Sequence, residues 1–248
     1  MDERHLLAIP VFNEERYVNR VIEEAKRYCR HILVIDDGST DRTSEALRRH
    51  DTIHVITHSD NQGYGESLGD AFEFAQRHAY KWLITMDCDE QHEPSYIPRF
   101  LTAMARDDAD LISGTRYPIG QEVNGSVPAD RREINRQITA MLNQRLGLDI
   151  TDAFCGFKAY RVAALRHINI TVPGYAMPMQ LWVQVARVGL RVRELPVRLI
   201  YNDPSRHFGG MLDDPMVRLE HYLAVFEAEM AHEAVPARKA DVGCLPCH

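Results

Sequence analysis

Residues 82–89 read Trp82-Leu83-Ile84-Thr85-Met86-Asp87-Cys88-Asp89, a strand-sized apolar run that ends on two carboxylates. Side chains alternate along extended chain, so Asp87 and Asp89 share one side and Cys88 points away. Two like charges that close are costly unless a cation lies between them. Their hard oxygens suit Mg2+ or Mn2+, ions that also grip a diphosphate. Taken alone, an Asp-x-Asp is more often a solvated turn, and its position at the end of a strand is what raises its interest.

Working outward, Leu6–Pro10, His31–Ile35 and Ile53–Ile56 are runs of the same kind, and Asp110–Ser113 reads as a fifth strand. Between them, Glu15–Tyr28, Asp41–His50, Gly65–His78 and Ser95–Arg106 carry helix-spaced apolar residues. Strict alternation predicts an α/β fold, with a mostly parallel central sheet covered by helices on both faces. Such folds bind ligands outside the carboxyl ends of the strands. After Gly114 the rhythm changes: Gly120–Ala129 reads as a loop and Arg131–Leu146 as a helix. Cys155–Arg161 reads as a short strand, Met179–Val188 as a helix and Arg191–Ile200 as a strand. A last helix begins near Asp213–Pro215, a favourable N-cap and N1 pairing.

The 248 residues, 45% of them apolar, suit one sizeable domain over 1–235, with a disordered tail over 236–248. A formal charge of −7 argues against a nucleic acid partner. With neither a signal peptide nor an apolar run of membrane-spanning length, a cytoplasmic protein is expected. Five scattered cysteines, Cys29, Cys88, Cys155, Cys244 and Cys247, do not form a disulfide framework. Cys244-Leu245-Pro246-Cys247-His248 matches a haem-attachment signature, but at the end of a polar tail it reads as unstructured chain.

Chemistry gathers at the strand ends. Phe12 and Glu14, beyond the first strand, can stack on and hydrogen-bond to a base; the bland reading is Asn13 capping the next helix. Asp36 and Asp37, entering the Gly38 turn, can accept from a base or ribose, or simply form a turn capped by Ser39 or Asp41. Arg116, after the fifth strand, can neutralise phosphate oxygens. Base-, ribose-, metal- and phosphate-type groups at four strand ends are hard to dismiss together.

At this point a resemblance becomes specific. Ile9–Glu14, Ile35–Thr43, Met86–Pro94, Ile112–Tyr117 and Ile150–Tyr160 occur in the order and spacing of family 2 glycosyltransferases of the GT-A fold, over about residues 5–200. Within that family the chain most resembles dolichyl- or polyprenyl-phosphate mannosyltransferases and their glucosyl relatives. The resemblance implies a nucleotide-sugar-binding half over 1–117 and an acceptor half over 118–235. Pro10, Phe12, Glu14 and Asp37 would bind the nucleoside, joined by Asp87 and Cys88. Asp87, Asp89 and Gln91 would surround Mg2+ or Mn2+ and the diphosphate, and Arg116 would meet the phosphates. Asp152 would lie near the acceptor, so Asp89, Arg116 and Asp152 are the candidate catalytic residues.

The chain departs from that pattern in three places. Phe154-Cys155 precede Gly156-Phe157-Lys158 where the subgroup has Thr-Ser before Gly-Phe-Arg. Gln180 stands where relatives place an acid, and Tyr201–Gly210 replaces the usual Arg-x-x-Gly-x-Ser-Lys ending.

The resemblance implies inverting transfer of a hexose from GDP-mannose or UDP-glucose to an acceptor. An anionic lipid phosphate needs no general base, whereas a sugar hydroxyl does, with Asp152 the candidate. A neutral Gln180 leans toward a polyprenyl phosphate. Arg131 and Arg136, on a basic helix, would join Arg116 at the acceptor phosphate or rest on an anionic membrane as a peripheral contact. His207–Gly210 reads either as a lid over the donor or as an ordinary loop. A weakly catalytic sugar-nucleotide-binding subunit is the alternative class. A nucleotidyltransferase would bring a Gly-rich phosphate loop near the first strand, which the sequence lacks.

Overall fold

The computed structural model describes residues 4–89, 92–120, 128–198, 200 and 210–232. Gln91, the lid segment before Gly210 and the tail over 236–248 fall outside them. In chain order the elements are β1 (His5–Val11), α1 (Val18–Ala25), β2 (Ile32–Asp36), α2 (Thr43–Leu47), β3 (His54–Thr57), α3 (Tyr64–Arg77), β4 (Trp82–Thr85), α4 (Ile97–Ala105) and β5 (Leu111–Thr115). They continue with α5 (Ala129–Leu146), β6 (Lys158–Arg161), α6 (Val162–Leu165), α7 (Met177–Arg187), β7 (Val192–Pro196) and α8 (Pro215–Ala231).

The strands form one seven-stranded sheet in the order β3-β2-β1-β4-β6-β5-β7. β6 runs antiparallel to both β4 and β5, and every other pairing is parallel. The expected mostly parallel sheet is therefore present, with one reversed strand at its centre. Its continuous apolar runs follow from burial on both faces. Along β1, Leu6 and Ala8 join one core with Phe72, Met179 and Trp182, while Leu7, Ile9 and Val11 join another with Ile22 and Phe100. Burying each such side chain stabilises the fold by about 1.5–3 kcal/mol.

Several elements are shorter than the periodicity suggests. Helix α2 covers only Thr43–Leu47 of the expected Asp41–His50, because Asp41 accepts from the Thr43 N–H and holds the entry as a turn. The reversed strand covers Lys158–Arg161, and the residues from Thr151 to Phe157 cross the carboxyl edge of the sheet instead. The last helix starts as expected: the Asp214 carboxylate accepts from the Met216 and Val217 N–H groups, with Pro215 in the first turn.

Candidate active site

The carboxyl ends of β1, β2, β4 and β5 open into a cavity of about 560 Å3. Pro10, Phe12, Glu14, Asp37, Asp87, Cys88, Asp89, Arg116 and Arg131 all line it. So do Ser67, Lys158, Tyr175, Arg218 and Tyr222, which the sequence reading did not single out. The reversal of β6 explains Lys158. Register pairs it with Thr85 and Ser113, so it sits two residues below Asp87 on one side and three below Arg116 on the other, at the foot of the site. The cavity has an acidic side, Glu14, Asp37, Asp87 and Asp89, and a cationic side, Arg116, Arg131, Lys158 and Arg218.

Alternation sorts the Asp87–Asp89 segment. Met86 and Cys88 are buried in the core beside α1 and α4, and the two aspartates emerge on the opposite face, into the cavity. The Cys88 side chain is turned from the cavity, so only its backbone can meet a nucleotide there. The Tyr64 hydroxyl donates to Asp87 Oδ1 at 3.1 Å. His92, buried, accepts from the Asp87 N–H through Nδ1 at 3.1 Å. Burial pushes its ring down to about 4, so at neutral pH it is a neutral acceptor and not an ion-pair partner of Asp87. Two carboxylates on one face, open to a space for phosphate oxygens and water, fit Mg2+ or Mn2+, which are usually held by one or two carboxylates plus substrate phosphates. Among the described residues no group of three or more His, Cys, Asp or Glu forms a closed metal site.

Asp37 is heavily used within the protein. Its carboxylate accepts from the Gln62 and Gly63 N–H groups, both at 2.8 Å, and pairs with His58 Nδ1 at 2.7 Å. His58 reaches Asp70 with its other nitrogen at 2.7 Å. Burial disfavours the imidazolium, but the bonds to Asp37 and Asp70 outweigh it and raise the pKa. Asn13 does not cap α1. Its side-chain oxygen accepts from Thr40 and Asp41, and its N–H donates to Ser39, tying the loop after β1 to the loop after β2. Phe12 stays half exposed at the mouth of the cavity.

The acceptor side departs further from expectation. Asp152 is fully buried and does not line the cavity. It accepts from Arg116 Nε at 2.7 Å and Nη2 at 2.9 Å, from the Arg116 N–H, and from Asn135 at 2.8 Å. Burial alone would raise its pKa, but Arg116 holds it well below the carboxylate range. A saturated, strongly acidic carboxylate away from the cavity is poorly suited to act as a base. The same pairing offsets the burial of the Arg116 guanidinium and raises its pKa. Among the described residues the Nη1 edge of Arg116 has no hydrogen bond and can meet an anion.

Two further readings are corrected. Arg131 reaches the cavity, but Arg136 does not: it is exposed and paired with Glu133 at 2.6 Å. Five residues along a helix turn the side chain by roughly 140°, so the two arginines cannot share a face. Gln180 is buried and accepts from the Thr171 and Val172 N–H groups while donating to Thr171 and Glu229. It is an internal tie to α8 and has no place in the cavity. Its neutrality therefore carries no information about the nucleophile.

The family model described as Glycosyl transferase family 2 matches residues 7–168. The chain belongs to this family. Undecaprenyl-phosphate mannosyltransferase of Micrococcus luteus is 28% identical, covering 88% of this chain and 93% of its own. Polyprenol monophosphomannose synthase of Mycolicibacterium smegmatis is 31% identical, covering 79% and 77%. The crystal structure of glucosyl-3-phosphoglycerate synthase from Mycobacterium tuberculosis, in complex with Mn2+, uridine diphosphate and glucosyl-3-phosphoglycerate, matches with a TM-score of 0.68 and 20% identity over 91% of this chain and 79% of that one. The fold of this glycosyltransferase is thus GT-A. No described helix is long and apolar enough to cross a membrane.

Proposed function

We propose that this glycosyltransferase moves a hexose from a nucleoside diphosphate sugar to a polyprenyl phosphate, with inversion, using Mg2+ or Mn2+. The observation that carries the reading is the two-sided cavity. Acidic strand ends suit a metal-bound nucleotide, and facing them Arg116, Arg131 and Arg218 stand among Ile134, Phe154, Tyr175, Met177 and Tyr222. Cations set in an apolar wall suit an anionic lipid head and the start of its chain. The relatives' names, with mannose and polyprenyl acceptors, support the same choice.

In this reading Pro10, Phe12, Glu14 and Asp37 frame the nucleoside, and Asp87 and Asp89 hold the cation. A divalent metal there would neutralise charge growing on the departing diphosphate. Arg116 adds its free edge to that task, held in aim by Asp152. Arg131 and Arg218 orient the acceptor phosphate, which attacks as an anion and needs no base. A polyprenyl acceptor lies in a membrane, so the enzyme meets it as a peripheral protein from the cytoplasmic side.

The test is transfer from GDP-mannose and from UDP-glucose to a short-chain polyprenyl phosphate with Mn2+. Lipid-linked product of inverted configuration is expected, and Asp89→Asn should lower its rate by about 100-fold or more. Transfer only to hydroxyl acceptors would overturn the acceptor assignment. Metal-independent transfer would overturn the role of Asp87 and Asp89.

A further inference from the structure

The loop that leads from β3 into α3 wraps around Asp37. Register pairs Asp36 with Thr57, so His58 leaves β3 beside Asp37, and its N–H donates to the Asp36 carbonyl at 2.9 Å. Further along the loop, the Gln62 N–H donates to Asp37 Oδ1 and the Gly63 N–H to Oδ2. A Cβ at Gly38 would lie 2.3 Å from the Asp60 carbonyl carbon, so only glycine lets the turn after β2 close against this loop.

His58 stands between two carboxylates, its side chain only 7% exposed. Nδ1 lies 2.7 Å from Asp37 Oδ1, and Nε2 lies 2.7 Å from Asp70 Oδ2. An ionised carboxylate only accepts, and a neutral imidazole has a single N–H. With both acids ionised, a neutral ring would set lone pair against lone pair in one of the two contacts. The imidazolium satisfies both, because it donates from each nitrogen. Asp37, from the end of β2, and Asp70, from α3, are the charged groups that act on the ring. Asp60, the next acid along its own loop, is exposed and accepts from Ser59. Asp37 lines the cavity and Asp70 does not.

Resting on the donor reading above, we propose that the His58 imidazolium is a positioning residue for the nucleotide. It holds Asp37 in place and offsets its charge, so that affinity for a nucleoside diphosphate falls when His58 loses its proton. Asp37 Oδ1 is filled by His58 and Gln62, whereas Oδ2 accepts one bond among the described residues, from Gly63. Oδ2 therefore keeps a lone pair for a ribose or base donor. An anionic ligand also meets the acidic side of the cavity, Glu14, Asp37, Asp87 and Asp89, and a cation behind Asp37 cancels part of that repulsion. A neutral His58 keeps at most one of its two bonds, and bonds from an ion are roughly twice as strong as those from a neutral donor. Burial works against the charge, but the two carboxylates outweigh it and raise the pKa. The charged form is thus complete below the unfolded value of about 6.5 and is lost as pH rises through the higher folded value.

The experiment is calorimetric titration with GDP and UDP, each with Mg2+, at pH values from about 6.5 to 9, the range in which the imidazolium gives up its proton. The proteins are wild type, His58→Gln, His58→Arg and Asp70→Asn, with the Tm of each recorded. The wild-type Kd is expected to weaken by about fivefold or more across that range, with proton uptake on binding at its upper end. His58→Gln should bind weakly throughout and show only the nucleotide's own titration. His58→Arg keeps two charged N–H groups at every pH and should bind without that loss. Asp70→Asn removes a charge that does not line the cavity, yet the midpoint of the wild-type profile should move down by about one pH unit. A profile shared by wild type and His58→Gln would overturn the proposal. So would variants whose Tm falls while the pH profile of affinity stays unchanged, since His58 would then serve folding alone. If neither diphosphate binds wild type even at the acid end, the donor reading itself fails, an outcome separate from a pH-independent Kd.

Discussion

At Asp152 a residue that reads as a base becomes the anchor of a cation. Asp152→Ala would leave the largely buried Arg116 without its counter-charge, and such breaks cost about 3–5 kcal/mol. Chemical denaturation should show that loss. Because the folded pKa is depressed, the stability that Asp152 contributes is complete above the unfolded value of about 4 and drains as pH falls toward the folded one. Asp152→Asn should therefore flatten the acid limb of a stability–pH curve. Gly156 poses the reverse case. A methyl group there meets side-chain ends, Asp87 and Tyr64, that can swing aside. Gly156→Ala should then cost less than about 1 kcal/mol of stability, yet displace Asp87 and weaken Mn2+-dependent turnover by about tenfold or more. A large stability loss with normal turnover would contradict this placement.

Among elements, the approach to α3 is held by one histidine. Asp37 accepts from the backbone of Gln62 and Gly63, and His58 bridges Asp37 to Asp70. With the His58 pKa raised, its contribution is fully present below the unfolded value of about 6.5 and is lost as pH rises through the higher folded value. The Tm should fall on that alkaline side in wild type, and the fall should shrink in His58→Gln. Helix α8 is tied in twice, by the Asp214 cap and by buried Glu229, which accepts from Gln180, Gln184 and Arg187. Asp214→Ala should cost about 1 kcal/mol. Because α8 carries Arg218 and Tyr222 into the cavity, the same change should speed amide exchange along that helix.

At the scale of the molecule, one cavity draws on residues from Pro10 to Tyr222, and neither half of the chain closes it alone. Nucleotide sugar with Mn2+ should therefore slow amide exchange at the start of α3, and a polyprenyl phosphate added to it should extend that protection to α8. Protection confined to β1, β2 and β4 would show that the cationic side does not meet a ligand.

The parallel half was legible because local chemistry dictates it. Apolar runs buried on both faces, separated by helix-spaced segments, admit few arrangements, and the residues leaving those strands must gather at one edge. Alternation alone put Asp87 and Asp89 on one side and Cys88 on the other. The acceptor side follows no such local rule. The reversal of β6 that brings Lys158 beneath Asp87, the burial of Asp152 against Arg116, the turning of Gln180 toward Glu229 and the return of α8 over the cavity are long-range pairings. Each is chosen by which charges and surfaces find partners once the chain is packed. The sequence by itself determined the fold class and the shared side of the two carboxylates that end β4, whereas only the tertiary structure decided which polar groups are already satisfied and which remain open to a substrate.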